Sequence, residues 1–354
     1  MMYNGFNISD KSLLFNDSRN NSVKALILGI GGMGTNAVTS IFSKGISNMD
    51  FAIINVEENV NSSIPYGIKK VILRDMHDKP LSTEGKVEKG MTIAAMTQSA
   101  WRQIVDGYNL VIIVAGLGGG TGGGLGPYIA SYLKKIRKSL VISIVTMPFS
   151  LEGKDKMGKA IKSLKNYRYS SNTTIVLEND TIFKMFRNQS FQKAMEIMNS
   201  GIIGSIVETI MDIVYEKSLH MNLDFETLKG MMKNGGESTI IYGEGERKNI
   251  ENVISSMFNS RFSSFDPSNY RNAIINIISD ENFTVDDLET VSRYIGDMFG
   301  DKIDVRISLK TVEGYREKVK ITGLLIGHGN EETYMNGEKA SDSAFIDEYF
   351  PFFF

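Results

Sequence analysis

The chain has no cysteine and only three histidines in 354 residues, at His77, His220 and His328. Without a thiol it can form neither a disulfide nor a thiolate metal site, and it has no cysteine nucleophile. Histidines so far apart in the sequence do not indicate a zinc site, so we predict no metal-binding side chains. The absence of cysteine is typical of a reducing compartment, and we expect a cytoplasmic protein.

Excess charge and long apolar runs are also missing. A formal net charge of -2 gives no general attraction to polyanions, so we predict no direct contact with nucleic acid. No run of about 18 uninterrupted apolar residues occurs, as a membrane-spanning helix would require, and the first residues lack the apolar stretch of a signal peptide. A composition of 42% apolar and 23% charged residues is instead typical of a soluble globular protein.

Short apolar runs alternate with helical patterns in the first half of the chain. Six of these runs predict buried strands, at residues 23–30, 51–56, 69–73, 109–116, 139–148 and 172–179. Strands that alternate with helices favour parallel pairing, with helices covering both faces of the sheet. The sequence therefore predicts an α/β, Rossmann-like domain with a mainly parallel sheet.

A long helical pattern follows, in which isoleucines recur every three or four residues between Ile202 and Ile213. Beyond it, strands and helices alternate again in a shorter stretch, which predicts a smaller α+β C-terminal domain. We predict five parts: a mobile N-terminal arm, a nucleotide-binding domain, a central helix, a C-terminal domain and an acidic, aromatic tail. Their expected ranges are 1–22, 23–190, 191–218, 219–327 and 328–354.

The first of two glycine loops has the pattern G-x-G-x-x-G, from Gly29 to Gly34, between a predicted strand and a predicted helix. Glu57 follows the second strand, where an acid that binds ribose would stand. Taken alone, this loop indicates an NAD-dependent dehydrogenase. Glycine turns after strands also serve close packing without any ligand.

The second loop is AGLGGGTGGGLGP, from Ala115 to Pro127, in which eight of the eleven residues from Gly116 to Gly126 are glycine. It follows a strand and opens a predicted helix, so its amides would converge where the helix dipole favours an anion. A backbone without side chains can also wrap a phosphate group. The Gly-Lys-Ser/Thr ending of the common P-loop is absent, and the apolar strand before the loop disfavours a flexible linker.

GGGTGGG, from Gly118 to Gly124, resembles the signature loop of the tubulin and FtsZ superfamily. The resemblance extends over residues 23–327 and is greatest to bacterial or archaeal FtsZ. Four further motifs stand in the family order: LGIGGMGTNAV, MPFSLEGKDKM, LENDTIF and MNLDFETL. The resemblance implies the tubulin/FtsZ fold, and a GTPase that assembles head to tail with copies of itself.

The same resemblance implies a site for GTP or GDP with Mg²⁺. The residues expected at the phosphates are Gly31, Gly32, Met33, Gly34, Thr35, Asn36, Gly118, Gly119, Gly120, Thr121 and Gly122. Glu152 would accept hydrogen bonds from the ribose, beside Lys156 in place of the usual arginine. Asn179 and Asn199 would read the guanine edge, although Ser200 stands where FtsZ commonly has aspartate. Glu84, in the loop expected to sense the γ-phosphate, should point outward because a carboxylate would repel phosphate.

In the family, a loop of one subunit completes hydrolysis on the nucleotide of the next subunit. Asn222 and Asp224 match that loop. The second acid of the family is missing, because Thr227 stands in its place and Glu226 is one position early. The resemblance therefore implies Asp224, Asn222 and Glu226 as catalytic residues, and hydrolysis that depends on assembly and is slow.

Cell division is the cellular role that a resemblance to FtsZ implies. An alternative is a plasmid or phage tubulin-like filament that segregates DNA or positions a phage structure, because the chain lacks the long linker and basic C-terminal peptide usual in FtsZ. A GTP-binding regulator without turnover and an NAD-dependent dehydrogenase stay open as other classes. The tail FIDEYFPFFF, from Phe345 to Phe354, would either dock on a membrane-anchor or adaptor protein or fold back on its own domain.

Overall fold

The computed structural model describes residues 23–57, 64–215, 225–233, 235–259, 270–300 and 303–327. The predicted N-terminal arm, the loop with Asn222 and Asp224, the end of the predicted central helix and the aromatic tail lie outside the described residues.

Within the described residues, ten strands form one sheet. In chain order they are β1 (Ala25–Ile30), β2 (Asp50–Asn55), β3 (Ile68–Ile72), β4 (Leu110–Gly116), β5 (Leu140–Met147), β6 (Thr173–Glu178), β7 (Gly236–Glu246), β8 (Tyr270–Ser279), β9 (Asp304–Thr311) and β10 (Lys318–Gly327). Their order across the sheet is β3-β2-β1-β4-β5-β6-β7-β10-β8-β9. Every neighbouring pair from β3 to β7 is parallel, whereas β10 runs antiparallel to both β7 and β8. The predicted strands of both halves are confirmed.

Helices cover the sheet. The α-helices described are α1 (Gly31–Phe42), α2 (Val87–Met96), α3 (Gln98–Val105), α4 (Gly126–Tyr132), α5 (Lys154–Ser170), α6 (Asn179–Met185), α7 (Phe191–Glu196), α8 (Gly204–Tyr215), α9 (Phe225–Met232), α10 (Ile250–Asn259) and α11 (Val285–Phe299). A π-helical turn, Thr121–Leu125, precedes α4, so this helix begins inside the second glycine loop rather than after it. Another π-helical segment, Ile197–Ile203, joins α7 to α8.

The predicted central helix is continuous from Phe191 to Tyr215, and two thirds of its most apolar stretch is buried. It is the one described helix long and apolar enough to cross a membrane, but the sheet and neighbouring helices already cover it. Ile206 and Ile210 contact a core that also contains Ile27 from β1 and Leu324 from β10. The helix therefore joins the two halves of the sheet through one shared core, and the division into two domains stays a prediction.

The buried ring of Tyr167, on α5, lies against the second glycine loop. Its hydroxyl donates a hydrogen bond of 2.8 Å to the carbonyl oxygen of Gly122. A Cβ at Gly126 would lie 1.6 Å from the same hydroxyl oxygen, so only glycine leaves room for the ring there. Complete burial raises the pKa of Tyr167, so this hydroxyl stays protonated and can donate at neutral pH.

We expect Tyr167→Phe to lower the free energy of unfolding by about 1–2 kcal/mol, because a buried carbonyl loses its donor while the ring remains. Urea unfolding measures the change. Tyr66→Phe is the matched control, since Tyr66 is fully exposed. An equal free energy of unfolding for Tyr167→Phe and the unchanged protein would contradict a structural role for this hydrogen bond.

Candidate functional site

The first glycine loop lies at the carboxyl end of β1, where the chain turns directly into α1. A Cβ at Gly34 would lie 2.3 Å from the carbonyl oxygen of Val114 on β4, and a Cβ at Gly29 would lie 2.4 Å from the carbonyl oxygen of Gly34. The buried Thr35 hydroxyl donates back to the carbonyl oxygen of Gly31 at 2.8 Å. The start of α1 is therefore held close to two strands, with its first amides at the carboxyl edge of the sheet.

The second glycine loop packs directly on the first. Gly31 has a φ of +74°, and a Cβ there would lie 3.3 Å from the backbone nitrogen of Gly122. A Cβ at Gly122 would itself lie 2.3 Å from the carbonyl oxygen of Gly116, and the Met33 side chain covers Gly116. The two loops are thus in main-chain contact, as the sequence alone could not show.

Most glycines of the second loop are needed for packing, which differs from the expectation that phosphate contact explains them. A Cβ at Gly120, Gly123 or Gly124 would lie within 2.5 Å of an atom of α2, α5 or the residue before α2. Gly119, and Gly32 in the first loop, are the exceptions, because a Cβ at either position would meet no atom within 4 Å. These two glycines border open space and are the best candidates for ligand contact.

The loop from Ser82 to Lys86 covers one side of the second glycine loop. The Thr83 hydroxyl lies 3.4 Å from the Thr121 hydroxyl, and a Cβ at Gly120 would lie 2.5 Å from the carbonyl oxygen of Lys86. Glu84 is exposed and forms an ion pair with Lys89 at 2.5 Å, which holds the pKa of Glu84 below its usual value. As expected, the Glu84 side chain points outward, and its carboxylate contacts a lysine.

The segment after β5 contacts the other side of the second loop. A Cβ at Gly118, whose φ is +91°, would lie 2.7 Å from the Lys156 side chain. Glu152 accepts a hydrogen bond of 2.8 Å from the Phe149 amide and forms an ion pair with Lys156. Partial burial acts to raise the pKa of Glu152, but these two hydrogen bonds outweigh it and hold the pKa below its usual value. Glu152 is therefore ionised at neutral pH.

Asn179 and Asn199 have one property in common. Asn179 is the first residue of α6, directly after β6, and Asn199 is buried in the π-helical segment of the central helix. The side-chain oxygen of each is buried and has no hydrogen-bond donor among the described residues. Because a buried acceptor without a donor costs about 1–3 kcal/mol, both oxygens are suited to a ligand that brings donors.

A groove of ≈ 430 Å³ runs between α1 and the central helix. Asn36 and Asn199 line it together with Met195 and the exposed ring of Phe191. Phe191 also packs against Phe183, with ring centroids 5.2 Å apart. Phe183 in turn packs on Phe149 of the segment that holds Glu152, so aromatic contacts tie the asparagine side of the site to the Glu152 side.

Sequence analysis missed Thr83, the aromatic cluster (Phe149, Phe183 and Phe191) and Met195. A threonine or a phenylalanine is common in any chain, and only their positions beside the glycine loops distinguish these residues. The one available signal was that Phe149 and Phe183 stand within two of the quoted motifs, MPFSLEGKDKM and LENDTIF.

Glu226 lies far from these residues. It is exposed in the first turn of α9, whose last residues lead to Gly235. The Gly235 amide donates to the carbonyl oxygen of Asn172, just before β6 begins, whereas Asn179 follows the end of β6. The length of β6, about 20 Å, separates the end of α9 from the candidate site. Glu226 therefore belongs to the side of the sheet where the parallel strands begin, opposite to the candidate site.

Asn222 and Asp224 are outside the described residues.

No group of three or more histidine, aspartate or glutamate side chains suited to a metal occurs within the part of the chain that the structure describes. Near the glycine loops, the carboxylates of Glu84 and Glu152 are already paired with lysines.

Residues 24–187 match the family model described as the Tubulin/FtsZ family GTPase domain. The protein named cell division protein FtsZ from Methanothermobacter thermautotrophicus is 26% identical over 342 residues, which is 93% of this chain and 88% of the relative. Among solved structures, an empty FtsZ dimer from M. jannaschii has a TM-score of 0.79 at 24% identity and covers 91% of this chain and 93% of its own. The GTPγS-bound protofilament of CetZ2 from Haloferax volcanii has a TM-score of 0.73 at 21% identity and covers 92% and 100%.

The family match, the fold and the two touching glycine loops agree with one another. Residues 24–187 therefore match the GTPase domain of the tubulin/FtsZ family, and the chain has the fold of that family.

Proposed function

We propose that this chain binds GTP in the site between the two glycine loops, α6 and the central helix, assembles head to tail, and hydrolyses GTP at the contact between subunits. The observation that carries the proposal is the pair of unsatisfied oxygens on Asn179 and Asn199, beside glycine loops of a GTPase family.

Guanine matches these oxygens in chemistry. Its Watson–Crick edge presents two neighbouring donors, an N–H and an amino group, whereas adenine presents one amino donor beside a ring-nitrogen acceptor, and that acceptor would face a protein oxygen. Buried acceptors that stay unpaired with the wrong base discriminate strongly against it. The geometry therefore supports a preference for guanine over adenine.

The phosphates would lie over Gly32 and Gly119, where the backbone borders open space. Amides at the start of α1 and of the π-helical turn before α4 would donate to them, helped by the dipoles of both helices. Glu152, ionised and next to Lys156, would accept from the ribose hydroxyls. Mg²⁺, when bound, would neutralise phosphate charge, and Asp224 of a neighbouring subunit would supply the carboxylate that this site lacks.

The positions of Glu226 and of the glycine loops support head-to-tail assembly. Glu226 lies at the opposite edge of the sheet from the glycine loops, so a subunit cannot bring it to its own nucleotide. In a head-to-tail arrangement that edge would contact the nucleotide of the next subunit. The related CetZ2 structure is described as a protofilament, which supports the same arrangement here.

We propose cell division as the cellular role, because the relative that matches 93% of this chain is named a cell division protein. The likeness to the CetZ2 protofilament supports filament formation of either kind, so a filament that segregates DNA or positions a phage structure is the second candidate. A fluorescent fusion that forms a ring at the division site supports the first role, and filaments away from that site support the second.

Pelleting with GTP, combined with phosphate release, tests the biochemical proposal. We expect sedimentation and phosphate release with GTP above a threshold protein concentration, and neither with ATP. Binding of GTP without phosphate release would instead indicate a regulator, and binding of a nicotinamide cofactor would indicate a dehydrogenase.

We expect Gly119→Ala to weaken GTP binding by roughly tenfold, about 1.4 kcal/mol, without loss of thermal stability, because its methyl group would enter open space beside the phosphates. Gly120→Ala is the matched control: its methyl group would collide with the Lys86 carbonyl, so it should lower the melting temperature. Calorimetry and thermal unfolding separate the two effects. Unchanged GTP affinity of Gly119→Ala would remove this loop from the site.

Asn179→Ala should reduce the discrimination between GTP and ATP by about 1–3 kcal/mol, because one buried pairing with the base is lost. Competition binding of the two nucleotides measures it. The control is Asn48→Ala, at an exposed turn, which should leave the discrimination unchanged. Asn172→Ala is unsuitable because the Asn172 side chain accepts a hydrogen bond from the Val141 amide. Equal affinities of the unchanged protein for GTP and ATP would refute the guanine assignment.

Asp224→Ala should bind GTP normally and assemble, but fail to disassemble, because the neighbouring site then lacks its carboxylate. Thr227→Asp should speed phosphate release by restoring the second acid of the family. Turnover per subunit is measured below and above the assembly threshold. A rate that is independent of protein concentration, or an Asp224→Ala protein with the unchanged rate, would contradict a site shared between subunits.

A further inference from the structure

A second cleft, of ≈ 600 Å³, opens between the central helix and β7. It exists because β7 pairs with β6 only over Gly236–Ser238 and then diverges from it. Buried Ile206 and Ile240 form its floor, and Phe186 lies at its rim. Beyond Ser238, the residues Ile240, Tyr242 and Glu244 of β7 line this cleft.

A lysine with no ion-pair partner among the described residues stands at the mouth of this cleft. Lys44 follows α1, and its ammonium lies 3.3 Å from the position that a Cβ at Gly204 of the central helix would take. Lys320, also in the cleft, is already paired with Glu208 at 3.0 Å. Among the residues that the structure describes, no carboxylate oxygen lies within 4.0 Å of the Lys44 ammonium, which is the limit for an ion pair. Burial lowers the pKa of Lys44, Glu208 opposes this effect, and Lys320 adds to it.

The cleft lining also contains Glu244, whose carboxylate accepts hydrogen bonds from the Tyr242 and Tyr315 hydroxyls. An apolar cleft whose mouth carries a cation with no ion-pair partner among the described residues is complementary to a segment that combines aromatic rings with carboxylates. The sequence contains one such segment outside the described residues, FIDEYFPFFF, in which Asp347 and Glu348 stand between aromatic residues.

The attachment point of this segment is close to the cleft. β10 lines the cleft at Lys320 and Thr322 and ends at Gly327. Thr322 to Gly327 is about 17 Å along a strand. A linker as long as residues 328–344 has an average reach of roughly 20–25 Å, which is enough to return to the cleft.

We propose that the segment Phe345–Phe354 occupies the cleft of its own chain, between the central helix and β7, with its acidic pair facing Lys44. A segment held there is withheld from a membrane anchor or an adaptor, and it braces the central helix against the C-terminal strands. This proposal is independent of GTP binding, because the cleft is separate from the glycine loops.

Cross-linking tests this proposal cleanly because the chain has no cysteine of its own. Ser256→Cys places a thiol in the cleft lining and Ser343→Cys places one beside the aromatic segment. With a short bis-maleimide, the full-length double variant should form an intramolecular cross-link at a rate independent of protein concentration. The control pair is Ser292→Cys with Ser343→Cys, since Ser292 is exposed on α11 and does not line the cleft.

We expect cross-linking to the cleft roughly tenfold faster than to the control position, because docking raises the effective concentration above that of a free linker. Lys44→Glu should abolish the difference between the two cross-linking rates. Adding Asp347→Lys and Glu348→Lys to that variant should restore the difference. Lys70→Glu, on the edge strand β3, is the matched control and should have no effect. Equal rates for the two pairs would overturn the proposal, and so would cross-linked dimers, which would place the segment on a second copy. GTP binding measured on the same variants keeps this outcome distinct from failure of the proposed function.

Discussion

The carbonyl oxygen of Gly116 occupies the space that a side chain at Gly122 would need, and the backbone of Gly122 in turn lies against Gly31. This main-chain contact brings the two glycine loops to one place at the carboxyl edge of the sheet. The first turn of α1 and the π-helical turn before α4 therefore lie side by side, so their free amides converge. An anion site with these amides depends on strands β1 and β4 being neighbours, which their parallel pairing ensures.

The electrostatics of the site are consistent with a highly charged anion. Two carboxylates beside the second glycine loop, on Glu84 and Glu152, are each held by a lysine. Each lysine offsets the repulsion that its carboxylate would exert on an anion between the loops.

The short pairing of β6 with β7 divides the sheet into two parts that have different roles. Parallel strands β1 to β6 carry the glycine loops and the asparagines at one edge, whereas β7, β8 and β10 pair antiparallel around their own core. The central helix spans the junction and packs on both halves. It contributes Asn199 to the candidate nucleotide site and Ile206 to the second cleft, so one helix lies beside both.

The sequence by itself determined the secondary structure and the fold class, because strand and helix periodicity and glycine turns are local properties. It also located both glycine loops, and the family resemblance supplied Asn179, Asn199, Glu152 and Lys156. The tertiary structure decided which atoms lie in contact, and sequence patterns cannot encode this. It showed that Gly120 and Gly124 serve packing while Gly119 borders open space. It also left the Asn179 and Asn199 oxygens without donors and placed Glu226 at the far edge of the sheet. Steric contact and hydrogen-bond satisfaction depend on residues distant in the chain, so they exist only once the sheet has assembled.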